Sequence, residues 1–175
     1  INPHLFAAYY YYGRAVFAQG EIQHSVELFR KAAEVRQEDF QAPTFQAQSL
    51  RMLGRHDEAR AATRESIARA ERIVAHNPLD GRALAVGALA LFSEGNVERA
   101  LEWSQRAVDL YPDDLSALLN NACLKLRCGF YEEGLEILER FFGRGWGKRD
   151  WVEHDPDYDC VREHPRFKAM FAKLK

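Results

Sequence analysis

The sequence predicts an all-α protein, an α-solenoid in which antiparallel helical hairpins stack one on the next. Three observations carry that expectation. The glycines Gly20, Gly54, Gly95 and Gly129 recur at separations of 34, 41 and 34 residues. A fixed period of this size marks a repeat array, in which each unit buries its apolar face only by stacking on a neighbour. Small residues recur at two set places around those glycines, and an aspartate recurs where each new unit begins.

With the recurrent glycine placed at position 15 of a unit, the first unit runs over 6–39, the second over 40–80, the third over 81–114 and the fourth over 115–142. Residues 1–5 then read as the tail of an upstream unit, and 143–175 as a C-terminal loop with capping helices. Position 8 holds Gly13, Ala47, Ala88 and Ala122, and position 20 holds Ser25, Ala59, Ala100 and Gly134. Both places need small side chains if the two helices of a hairpin cross closely. Position 15 is glycine because the chain reverses there through a left-handed residue that ends the first helix. Asp39, Asp80 and Asp114 each precede a helix start, where a carboxylate accepts the orphan amides. Pro78 and Pro112 stand two residues earlier and block continuation of the preceding helix. The second unit is seven residues too long (41 against 34), which is about two helical turns. The stretch from His56 to His76 holds neither proline nor glycine, so the extra length is expected inside the second helix of that unit.

These columns resemble the tetratricopeptide repeat (TPR) family, and unit three, GRALAVGALALFSEGNVERALEWSQRAVDLYPDD, is the nearest match. The resemblance covers residues 6–142 and implies a right-handed superhelix that binds proteins. It departs at Gln37, where proline is usual, and at Phe141, where position 27 is usually small. Tyr9 alone supplies the aromatic often seen at position 4. At the N-terminal end, Ile1-Asn2-Pro3 aligns with Leu110-Tyr111-Pro112, as though an earlier second helix ended there, and the chain reads as the C-terminal part of a longer protein. The Tyr9–Tyr12 run reads either as an aromatic docking patch or as inter-repeat packing left open. At the other end, Phe167, Met170, Phe171 and Leu174 follow helical spacing, Pro165 suits a first turn, and a short helix is expected around Arg149–Glu153. Trp151, Asp155-Pro156-Asp157 and His164-Pro165-Arg166-Phe167 resemble the endings of bacterial arrays that follow an adenylate or guanylate cyclase, a kinase or a winged-helix domain.

Composition excludes several classes. Hydrophobic residues make up 47% and charged residues 29%, with a net charge of -2. That balance is globular rather than disordered, and gives no reason to expect nucleic acid or a membrane as partner. Cys123, Cys128 and Cys160 are odd in number and at no metal-like spacing, which fits a reduced cytoplasmic setting. Gly143–Lys148 lacks the preceding strand and the Ser or Thr of a phosphate loop. His154, Cys160 and His164 fit no standard zinc pattern. The expectation is therefore a protein that is not an enzyme and holds neither metal nor cofactor.

By the resemblance, positions 2, 5, 9 and 12 of each first helix line a concave groove. The candidate binding residues are Tyr10, Arg14 and Phe17 with Ala7 in unit one, and Thr44, Gln48 and Arg51 with Gln41 in unit two. Unit three adds Arg82, Ala85, Leu89 and Phe92, and unit four Ser116, Leu119, Cys123 and Leu126. Arginines at one end would meet carboxylates of an extended peptide, and Tyr10, Phe17 and Phe92 would anchor apolar groups. Chaperone-tail binders of the family carry Lys at position 5 and Asn at position 9, where Tyr10 and Arg14 stand here. The function expected is a peptide- or domain-binding scaffold of a bacterial cytoplasmic signalling protein, with its own upstream domain as one candidate partner. The alternative is a structural segment that self-associates as a homodimer.

Overall fold

The computed structural model describes residues 3–147, 149–154 and 156–174. Ile1, Asn2, Lys148, Asp155 and Lys175 lie outside the described residues, and with Ile1 and Asn2 the reading of them as the end of an earlier helix. Among the described residues every regular element is helical. The first hairpin is α1 (Pro3–Ala18) with α2 (Ile22–Val35), and the second is α3 (Gln41–Met52) with α4 (His56–His76). The third is α5 (Gly81–Ser93) with α6 (Val97–Leu110), and the fourth α7 (Leu115–Arg127) with α8 (Tyr131–Gly143). Each hairpin packs on the next through its second helix: α2 on α3, α4 on α5, α6 on α7. The first helices α5 and α7 also touch each other. Repetition of that arrangement makes the molecule an α-solenoid.

The turns inside the hairpins are built alike. Gly20, Gly54, Gly95 and Gly129 have φ of 84°, 72°, 81° and 84°, the left-handed region where a Cβ is costly. The amide after each glycine bonds the carbonyl five residues back, as Glu21 N does to Val16 O at 2.9 Å and Phe130 N to Lys125 O at 2.9 Å. That six-to-one bond closes the exposed end of each first helix. At the unit boundaries Asp39, Asp80 and Asp114 accept the amides of Ala42, Ala83 and Ala117 at 2.7, 2.8 and 2.7 Å. The small columns are crossing points. A Cβ on Gly13 would lie 2.9 Å from the Phe29 ring, and one on Gly134 would lie 2.6 Å from Leu126.

α4 has 21 residues against 14 in α2 and in α6. A helix of 14 residues starting at His56 would end at Arg69. The seven residues beyond are packed rather than free: Ala70 and Val74 are buried in the cluster that holds Leu84, Ala88 and Trp103. Arg69 itself is buried and reaches back to the end of α2. It donates to the carbonyls of Ala33, Arg36 and Asp39 at 3.2, 3.0 and 2.8 Å, and pairs with Glu65. α1 begins at Pro3, three residues ahead of the Phe6 at which the repeat register starts. Proline is well suited to a first helical turn, where its missing amide is not needed.

The C-terminal segment closes its end of the stack. α9 (Arg149–His154) leads into a 3-10 turn (Pro156–Val161) that packs on α7, and α10 (Pro165–Phe171) packs on α8. Val152, Tyr158, Val161, Phe167 and Met170 join the same buried cluster as the third and fourth hairpins. Leu174 lies past the end of α10 but still packs on it, half-buried. Arg166 clips the cap to α8 by pairing with Glu132 and Glu139. Among the described residues no helix is long and apolar enough to cross a membrane.

Candidate functional site

The inner surface of the second, third and fourth hairpins encloses a groove of about 710 Å³. α3 contributes Thr44, Gln48 and Arg51, α5 contributes Leu89, and α7 contributes Leu119, Cys123 and Arg127. The first turns of α4 form one wall with His56, Arg60 and Thr63, and Asp157 of the 3-10 turn closes the far end.

Of the residues expected from the sequence, Thr44, Gln48, Arg51, Leu89, Leu119 and Cys123 come together in this groove. Phe92 is not among its lining residues, though the Arg127 guanidinium lies 4.5 Å over its ring. Tyr10 and Ala85 are buried in packing and present no open surface. The Tyr10 hydroxyl donates to Gln41 Oε1 at 2.9 Å, and Arg82 donates to the same oxygen. These three side chains thus form a polar chain across α1, α3 and α5, outside the groove. Burial raises the Tyr10 pKa, which suits a phenol that donates rather than ionises. Arg14 lies over the Phe45 ring at 5.5 Å and Phe17 is half-buried beside the same aromatic cluster.

Arg60, Thr63, Arg127 and Asp157 were not among the expected residues. Arg60 and Thr63 belong to a second helix, and Arg127 sits one place beyond the inward position 12. The register of the first helices carries no signal for Arg60 and Thr63, which lie in the first turns of α4. Asp157 arrives from the cap, and no repeat register predicts that.

The charge balance of the groove is uneven. Arg51 is half-buried, and its guanidinium donates to Thr63 Oγ1 at 3.2 Å. Burial, with Arg127 nearby adding like charge, pushes its pKa down, while Glu94 acts in the opposite sense. Glu94 is itself engaged by Arg64 at 3.1 Å. Arg127 has Asp157 at 3.9 Å. Among the described residues neither Arg51 nor Arg60 forms an ion pair. A cation partly withdrawn from water and in no direct ion pair raises the local positive potential and favours an anionic guest. The Thr44 and Ser66 hydroxyls lie 2.7 Å apart and share the Phe40 carbonyl, which fixes α3 against α4 at the groove wall.

Chemistry of a catalytic or metal kind has little to build on here. Among the described residues no group of three His, Cys, Asp or Glu side chains is placed to hold a metal. The His154 side chain, which entered that reading, lies outside the described residues. Cys123 is buried, Cys128 half-buried and Cys160 exposed, and none is in a disulfide.

Comparison with known proteins places this geometry in a family. Residues 61–141 match the model for anaphase-promoting complex, cyclosome, subunit 3, and residues 13–69 match a tetratricopeptide repeat model. No curated protein sequence matches the chain significantly. Among solved structures it is similar to TTC0263, a TPR protein of Thermus thermophilus, at 17% identity and TM-score 0.66, over 96% of this chain and 89% of that one. It is similar to a tetratricopeptide repeat protein of Parabacteroides merdae ATCC 43184 at 18% identity and TM-score 0.59, over 100% of this chain and 68% of that one. It is also similar to the first TPR of Spaghetti (RPAP3) bound to the HSP90 peptide SRMEEVD, at 16% identity and TM-score 0.50, over 74% and 97%. Arrays of this kind are scaffolds for protein interaction, not catalysts. With its period, its left-handed glycines and its stacked hairpins in agreement with these matches, the chain belongs to the tetratricopeptide repeat family.

Proposed function

We propose that the chain is a protein-interaction module whose groove holds an extended, acid-bearing peptide segment, with a carboxylate of the guest set against Arg51. One observation carries the reading: Arg51 is half-buried in the groove wall, bonded to a neutral hydroxyl and in no ion pair among the described residues, the nearby Glu94 being engaged by Arg64. A guanidinium so placed gains a charge-assisted, two-pronged bond when a carboxylate arrives. Arg60 widens the positive region, and Leu89 and Leu119 give apolar footing for the guest's intervening side chains. The guest in the Spaghetti (RPAP3) neighbour is itself acid-rich, which supports this charge class.

The test is fluorescence anisotropy with labelled eight- to twelve-residue peptides of acidic, neutral and basic composition. Acidic peptides are expected to bind, with affinity falling as salt rises, since the contact is partly screened. Arg51→Glu should weaken binding by about tenfold or more, while Arg30→Glu, outside the groove, should leave it unchanged. Equal binding of basic peptides, or an unaltered affinity for Arg51→Glu, would sink the proposal.

The likeness of the 151–167 segment to the tails of bacterial signalling arrays supports a place in a cytoplasmic signalling or regulatory protein. The complete gene product tests that placement: a cyclase, kinase or winged-helix domain on the same polypeptide is expected, and its absence would refute it.

A further inference from the structure

The groove carries acids of its own. Among the described residues two carboxylates line it, Glu94 just past the end of α5 and Asp157 of the 3-10 turn. Arg64 engages Glu94 at 3.1 Å. Asp157 lies 3.9 Å from Arg127, the cation at the α7 end. That separation is beyond hydrogen-bond range, and the Asp157 and Arg127 side chains are 36% and 48% exposed. A pair so long and so open to water does little to hold a fold. Other contacts fix both partners. Tyr158 and Val161, on either side of the same turn, are buried, and the turn packs on α7. The Arg127 guanidinium rests 4.5 Å over the Phe92 ring of α5. The cap therefore delivers a carboxylate to the groove beside Arg127. At the α3 end the Arg51 guanidinium is bonded to the neutral Thr63 hydroxyl.

We infer that Asp157 is a specificity residue, which stands in for a guest acid at Arg127 so that the groove takes one acidic group, at Arg51, and refuses a second at the cap end. The inference rests on the groove holding an acid-bearing peptide, as proposed above. A guest carboxylate at the α3 end meets a guanidinium in no ion pair. A second carboxylate at the α7 end meets a cation already offset by Asp157 and lies beside a like charge. Attraction to Arg127 and repulsion from Asp157 then nearly cancel, and like charges set close at an interface discriminate between partners. A neutral or basic guest residue meets no such opposition there. The cap thus gives the groove two unlike ends, one that rewards an acid and one that does not.

Fluorescence anisotropy with matched one-acid and two-acid peptides tests this. The second acid is placed about two to six residues from the first, which spans the groove at ~3.3 Å per extended residue. The wild type should gain less than about twofold from the second acid, and Asp157→Asn about three- to fivefold. Arg127→Gln removes the cation and leaves the cap untouched, so there the second acid should lower affinity. The double variant should show neither gain nor loss. Asp159→Asn makes the same charge change on the same turn, but Asp159 is paired with Arg162, 65% exposed and outside the groove lining. It should behave as the wild type, and every variant should keep its helical circular dichroism. Equal gains from the second acid in the wild type and Asp157→Asn, or the same response from Asp159→Asn, would overturn the role of Asp157 while Arg51-dependent binding of one-acid peptides stands. If no acidic peptide binds, the reading of the groove itself fails and this inference with it.

Discussion

Replacing Arg69 with methionine keeps the aliphatic stem of a buried side chain and removes only its guanidinium. That group joins the fourth turn of α4 to the end of α2 by hydrogen bonds to the carbonyls of Ala33, Arg36 and Asp39. All three carbonyls lose a charged donor, but the Arg36 carbonyl retains the Asp39 amide at 3.2 Å, so two are left unpaired. A buried acceptor left unpaired costs about 1–3 kcal/mol. Removing the guanidinium also recovers part of its own desolvation cost, which trims the sum to about 2–4 kcal/mol. Glu65, the ionic partner, is half exposed, so Glu65→Gln should cost no more than about 1 kcal/mol. Urea unfolding followed by circular dichroism at unchanged m-value reads both. Equal losses in the two variants would show that the ion pair, not the carbonyl bonds, ties α4 to α2. A loss for Arg69→Met below that of Glu65→Gln would refute the reasoning outright.

Three further outcomes follow from local geometry. Gly87→Ala sets a Cβ 2.6 Å from the buried Trp103 ring and should cost about 1–3 kcal/mol by overpacking, much of it recovered in a Gly87→Ala/Trp103→Leu double variant during thermal melts. Gly54→Ala meets no neighbour but holds φ at 72°, so it should lose about 1–2 kcal/mol through the backbone alone. Gly143→Ala, helical and equally open, should not lose stability. Burial raises the Asp39 pKa above its ordinary 3.8, and the amide bonds of Ala42 and Gln41 only partly oppose it. The folded state therefore binds this proton more tightly than the unfolded one. Its stabilising effect is full at low pH and is lost as pH rises through the folded pKa. Relative to Asp39→Asn, the wild type should gain stability on acidification from neutrality towards pH ~4. A difference between the two that stays flat over that range would count against a buried carboxylate.

The repeat was legible because its causes are local. A left-handed glycine, a capping aspartate and a small crossing residue each act within a few positions, so Gly54, Asp80 and Ala88 announce themselves in one sequence. The length of α4 was legible for the same reason, since nothing between His56 and His76 breaks a helix. The groove was legible only by half. Register says which way Thr44, Arg51 and Leu89 point, and these do meet. It does not say which neighbour leans across, and so Tyr10 and Ala85 end up buried. Arg60 and Thr63 enter from a second helix, whose first turns line the groove beside α3. Asp157 reaches the groove through the cap, whose path depends on how Phe167 and Met170 pack on α8. Packing between units is a long-range property, and the period alone does not contain it.

α4 also has a consequence for the order in which the molecule comes apart. An array of units joined only to their neighbours behaves as a one-dimensional chain of couplings and frays from its weakly joined ends. Arg69 fastens the second unit backward to the first, and Ala70 and Val74 fasten it forward to the third. Arg69, where a helix of ordinary length would end, makes the backward coupling, and the extra two turns beyond it strengthen the forward one. Opening should begin at α1 or at the C-terminal cap and stop at α4, so that one over-long helix makes the middle of a repetitive chain its last part to unfold.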